Sequence, residues 1–107
     1  MPWDGITRLY ERLLEIAPTV GAEIAHAVAL AHALSDPQAG LRLLAAIEPD
    51  RVAAHQPWWA AQAHLLAMAG AHADAESAYG RALALTVEPR LRAWLAQRRL
   101  AEEAAAR

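Results

Sequence analysis

The sequence predicts an all-α protein, a right-handed array of antiparallel helix hairpins. Three observations predict it. Alanine, the residue with the best intrinsic helix propensity, supplies 29 of the 107 residues. Strand-favouring residues are few, with no Phe, four Val, four Ile and three Thr. Proline and glycine recur at intervals that cut the chain into pieces of ordinary helix length.

The breaks are Pro18, the Ser35-Asp36-Pro37 turn, Pro49-Asp50, Pro57, Gly70 and Pro89. Proline disfavours helix in the residue before it, and glycine permits the turn that follows a helix. Six helices are expected, near 4–17, 21–34, 37–48, 56–69, 73–85 and 88–104. Asp36, Asp74 and Glu88 put an acid at or near a helix start, where it caps free N–H groups or opposes the macrodipole. A chain of this length forms one domain, residues 1–107, with one modest core. Because the apolar residues are mostly alanine, that core must be built by close approach of helix backbones.

Composition also excludes chemistry. Without Cys there is no disulfide, thiolate nucleophile or thiolate metal site. All ten basic residues are Arg, and Lys and Asn are both absent, a pattern of GC-rich coding more than of function. The net charge of −2 predicts no nucleic-acid footprint, so no direct DNA contact is expected. The charge is unevenly spread: residues 1–80 hold four Arg against nine acids, and residues 81–107 hold six Arg against three. Met1 to Gly5 carries neither the basic nor the apolar region of a leader, and no stretch approaches the roughly 20 apolar residues of a membrane span. A cytoplasmic protein with no membrane partner is the expectation.

Consecutive hairpins call for a repeat search, and the roughly 34-residue tetratricopeptide pattern fits. With Gly70 as the turn glycine, Trp59, Ala63, Ala75, Tyr79 and Ala82 fall on the aromatic and small positions of the pattern, and Pro89 arrives slightly late. The unit beginning at Gly21 is degenerate, with Val28 in place of a small residue, Gly40 on a small position and Leu44 on an aromatic one. Leu9 to Pro18 reads as the second helix of a preceding unit, Tyr10 being its aromatic. The expected organisation is a half-repeat at 4–18, a degenerate repeat at 21–51, a good repeat at 56–87 and a closing helix at 88–104. Small residues would let paired helices approach, while Tyr10, Leu44 and Tyr79 fill gaps between hairpins.

Several segments carry a narrower likeness: Trp3-Asp4-Gly5-Ile6 with Leu9-Tyr10, Ala27-Val28-Ala29-Leu30, Ala39-Gly40-Leu41, Ala63-His64-Leu65-Leu66 with Gly70, Ala78 to Leu83, and Trp94-Leu95 with Arg98-Arg99-Leu100. Over nearly its whole length the chain resembles the tetratricopeptide-like C-terminal extension of a group of extracytoplasmic-function RNA polymerase sigma factors. That family favours Asn-Arg where Ala25-His26 stand and Arg where Gln62 stands. The resemblance implies a regulatory domain whose protein partners are promoter-binding regions of its own polypeptide or RNA polymerase. Those promoter-reading regions are absent from this sequence.

Five histidines invite a metal or acid–base reading, but their spacing opposes it. His26 and His32 lie about 240° apart around a helix, and His64 and His72 straddle the turn at Gly70. Glu23 and His26 have the spacing of half a di-iron motif, with no second such pair. Ser35 and Ser77 fall at a turn and on a helix surface, so no serine triad can be built. No cofactor, metal, small-molecule substrate or enzymatic activity is expected.

The repeat register instead defines a concave groove. Ala22, Ala25, Ala29 and His32 line it from one repeat, and Pro57, Ala60, His64 and Ala67 from the next. The Lys, Asn and Arg that clamp an acidic C-terminus in some tetratricopeptide proteins are missing there. A smooth alanine groove suits an apolar helix or segment, unless it is too shallow to bind. Trp58 and Trp59 cannot face the same way on one helix; with Trp59 in the core, Trp58 either covers the preceding hairpin or stands exposed as an anchor. Leu91, Trp94 and Leu95 form a stripe that ends at Arg98, so the packed face of the last helix is expected to stop near Leu95. Arg98 and Arg99, with Arg90 and Arg92, then face either an acidic or phosphate partner or solvent. The expected function is non-catalytic regulation through protein contacts; the alternative is a free-standing adaptor or dimerisation module unrelated to transcription.

Overall fold

A computed structural model describes residues 2–107 of the chain; Met1, the first residue of the leader reading, lies outside the described residues. The fold is an all-α array of seven helices: α1 (Trp3–Ile16), α2 (Val20–Leu34), α3 (Pro37–Ala46), α4 (Pro49–Val52), α5 (Gln56–Met68), α6 (His72–Ala84) and α7 (Pro89–Ala105). Among the described residues no helix is long and apolar enough to cross a membrane. The helix beyond the six expected is α4, a single turn that begins at Pro49 and buries Val52.

Side chains at the breaks set the helix ends. Thr19 accepts from the Ala22 N–H at 3.1 Å to start α2, and Asp36 accepts from the Gln38 N–H at 3.0 Å with Pro37 in the first turn of α3. Glu88 caps α7 with both carboxylate oxygens, accepting from Arg90 and Leu91 N–H groups at 3.1 and 2.7 Å. Asp74 sits in the first turn of α6 without capping it, opposing the macrodipole only. Two helices close through left-handed residues: Ser35 after α2, at φ 51°, and Gly70 after α5, at φ 81°. In each turn a later N–H reaches back to free a helix end of its orphan carbonyls, Asp36 to Ala31 and Ala71 to Leu66, both at 2.9 Å.

Neighbouring helices pack as hairpins, α1 on α2, α2 on α3, α5 on α6 and α6 on α7, while α5 joins the two halves by packing on both α2 and α3. The closest approach is at Gly40. A β-carbon there would lie 2.6 Å from the Ala27 carbonyl oxygen and from Leu65 Cδ1, so only hydrogen fits where α2, α3 and α5 meet. Around this point Ile24, Ala27, Ala31, Leu44, Ile47 and Leu65 form the larger buried cluster. Tyr79, Ala63, Ala78, Ala82 and Leu95 form the second, between α5, α6 and α7. Leu44 and Tyr79 fill the inter-hairpin gaps with no exposure, whereas Tyr10 is only half-buried.

The packed face of α7 does not stop at Leu95. It continues through half-buried Arg99 to Glu102, which is buried at 7 % exposure. Arg99 Nε donates to Glu76 at 2.7 Å, and Glu102 meets His72 Nδ1 at 2.6 Å, so polar ties from α6 extend the seam that apolar residues begin. Trp94 lies off this seam and is 53 % exposed, because one residue is about 100° of helix rotation. Arg92 crosses to donate to the Leu83 and Thr86 carbonyl oxygens at 2.8 Å, closing the C-terminal end of α6.

Candidate interaction groove

The groove positions read from the repeat register fall on two faces, Ala25, Ala29 and His32 on α2, and Ala60, His64 and Ala67 on α5. Within each set the residues are spaced four then three apart, which keeps them on one side of a helix. Ala25, Ala60 and Ala67 are half-buried, while Ala29 is buried against neighbouring helices.

The two histidines meet. His32 Nε2 lies 2.9 Å from His64 Nε2, with ring centroids 5.2 Å apart, so the imidazoles touch end to end and one proton bridges them. A neutral imidazole has one N–H and one acceptor nitrogen, so one ring donates to the other. Trp3, from the first turn of α1, stacks on His32 with centroids 4.3 Å apart and planes inclined by 13°. This indole covers one face of the His32 ring and fixes its orientation. Burial holds the His64 imidazole below the ordinary histidine range, and the nearby His32 and Arg98 push it further in the same direction.

Arg98 of α7 holds its guanidinium 5.8 Å from the Trp94 ring centroid. Trp3, His32 and His64 thus form a row contributed by α1, α2 and α5. The repeat register put His32 and His64 in the groove. It carried no signal for Trp3, because its place on His32 depends on how α1 is rotated against the central helices.

Arg99, singled out beside Arg98, points the other way. It is bound to Glu76, and its guanidinium carbon lies within 3.2 Å of where a Gly80 β-carbon would be. Trp58 covers the preceding hairpin, its indole N–H donating to the Leu44 carbonyl at 3.1 Å. Trp59 donates to the Ala53 carbonyl at 3.1 Å and carries Arg81 over its ring at 4.9 Å. The two indoles meet edge to face at 4.8 Å and, with Val52 and Gln62, line a cavity of about 320 Å³ on α4 and α5. Two of the other three histidines pair with acids, His26 with Glu11 at 3.5 Å and His72 with Glu102 at 2.6 Å, while His55 precedes α5 without a side-chain cap bond. Among the described residues no three His, Asp or Glu side chains converge as a metal-holding group.

No protein-family model, curated protein or solved structure matches the chain.

Proposed function

We propose that this chain is a non-catalytic, tetratricopeptide-like interaction domain that acts in transcription initiation in the cytoplasm, like the sigma-factor extension its sequence resembles. What supports the reading is the row of small, half-buried side chains, Ala25 on α2 with Ala60 and Ala67 on α5, on two helices that the His32–His64 bridge ties together. Small side chains along a helix pair favour an apolar helix laid between them. The partner would be the promoter-binding regions of a sigma factor or RNA polymerase itself.

The test is capture of purified RNA polymerase core and of an isolated sigma promoter-binding region by the full chain, beside the variants Ala25→Arg and Ala60→Arg. Retention of either partner that is lost in both variants, with helical circular dichroism unchanged, supports the proposal. Absence of binding to both partners sinks the transcriptional reading.

One observation favours the second reading, a dimerisation or adaptor module. Leu9, Leu13 and Ile16 are 57 %, 38 % and 74 % exposed and stand along one side of α1. A concentration-dependent mass in light scattering, abolished by Leu13→Glu, would support it.

A further inference from the structure

Adjacent on α5, Trp58 and Trp59 wall a cavity of about 320 Å³ that residues of α3 and α4 complete. Each indole is fixed by its own N–H, Trp58 donating to the Leu44 carbonyl oxygen and Trp59 to that of Ala53, both at 3.1 Å. The rings meet at 83°, so the aromatic wall is a corner already set by backbone hydrogen bonds. Buried Leu44, Ile47 and Val52 add the rest of the apolar lining, Val52 being carried there by the single turn α4 that Pro49 starts. None of Ala25, Ala67, His32 and His64 lines this cavity, so it stands apart from the row on α2 and α5.

One lining residue is out of keeping with the rest. Gln62 brings a primary amide to an apolar wall, and its Oε1 is buried without a hydrogen-bond partner. An unmet acceptor in a site that excludes water is costly, and a ligand that donates to it removes the penalty. The last torsion of glutamine is broad, so the amide can turn its oxygen toward such a donor at little cost.

We propose that this cavity binds a small neutral aromatic molecule, a fused ring pair in size, that donates one N–H or O–H to Gln62. The size follows from volume. An apolar cavity of about 150 Å³ takes one benzene ring, and roughly twice that volume takes two fused rings. Neutrality follows from the lining, which holds no charged side chain to pair with an ion, and from Arg81, whose guanidinium already lies over Trp59 and repels a second cation. The occupant is a free molecule because a protein interface would continue as apolar surface around the cavity, over about 800 Å² per partner. Among the described residues the large exposed apolar side chains lie elsewhere, on α1 and α7, at Leu34, Met68 and Val87, and none of them lines the cavity.

The experiment is an NMR titration of the isotope-labelled full chain with indole and with benzofuran, which has nearly the same shape and lacks the N–H. Indole should shift the Trp58 and Trp59 side-chain N–H signals saturably and leave those of Trp3 and Trp94 in place. Benzofuran should bind the same site about three- to tenfold more weakly, the difference one neutral hydrogen bond makes. Gln62→Leu should bring indole down to the affinity of benzofuran. Ala45→Leu, which enlarges an exposed lining residue, should weaken both, and circular dichroism checks that each variant folds. Equal affinities of the two probes for the native chain, or a difference that survives Gln62→Leu, overturn the hydrogen bond and with it the ligand class. Shifts that do not saturate, or that move Trp3 and Trp94 as much as Trp58 and Trp59, overturn the site.

Discussion

The Nε2 atoms of His32 and His64 lie 2.9 Å apart although 32 positions separate them in the chain. This bridge joins α2 to α5, and the neutral form of His64 is favoured because burial, with His32 and Arg98 acting in the same direction, lowers its pKa.

The sign of the pH dependence follows. In the unfolded chain His64 titrates near 6.5, and in the folded chain below that, so between the two values the unfolded state binds more protons. Stability from this residue is complete above pH 6.5 and declines as pH falls toward the folded value. Thermal melts from pH 8 to 5 should lose midpoint more steeply for the native chain than for His64→Gln; equal slopes would refute this.

Gly40→Ala forces a β-carbon to within 2.6 Å of a carbonyl oxygen on α2 and of a Leu65 methyl. The backbone oxygen cannot step aside, so α3 must move away from α2. A loss of about 1–3 kcal/mol or more is expected in urea unfolding. A glycine tolerant of alanine here would mean that the helices do not meet at this point.

Tyr79 is fully buried and its hydroxyl has no hydrogen-bond partner. Tyr79→Phe removes an unsatisfied polar group and keeps the ring, so stability should be unchanged or higher by up to about 1 kcal/mol. Tyr79→Ala empties the gap between α6 and its neighbours and should cost about 3–5 kcal/mol. Denaturant midpoints of the two variants will separate the ring's contribution from that of the hydroxyl.

Glu102→Ala leaves His72 without its partner at the α6–α7 seam. Since the seam beyond Leu95 is held by polar ties, faster amide exchange should appear first in the last two turns of α7, with a global loss of about 1–3 kcal/mol. Exchange that rises uniformly over all helices would contradict a local role.

How much of this was legible beforehand depends on the range of the interaction. Pro37, Pro57, Gly70 and Pro89 mark real helix ends because each acts through its own backbone dihedrals, and Asp36 and Glu88 cap because a side chain two or three residues away is within reach. α4 escaped notice since a single turn has no periodicity to read. The end of the packed face on α7 was misjudged for another reason: the pattern treats Arg99 and Glu102 as solvated charges until Glu76 and His72 are placed opposite them.

The chain's own order of residues determined that it is helical, where most of its helices begin and end, and that alanine and glycine must stand at the crossings. Those outcomes rest on local sterics and on spacings along one helix. The tertiary structure alone decided that Trp3, His32 and His64 share one row while Arg99 is held by Glu76. Their meeting depends on the rotation and tilt of three helices against one another, and those are set by the packing around Gly40, Leu44 and Leu65 between α2, α3 and α5.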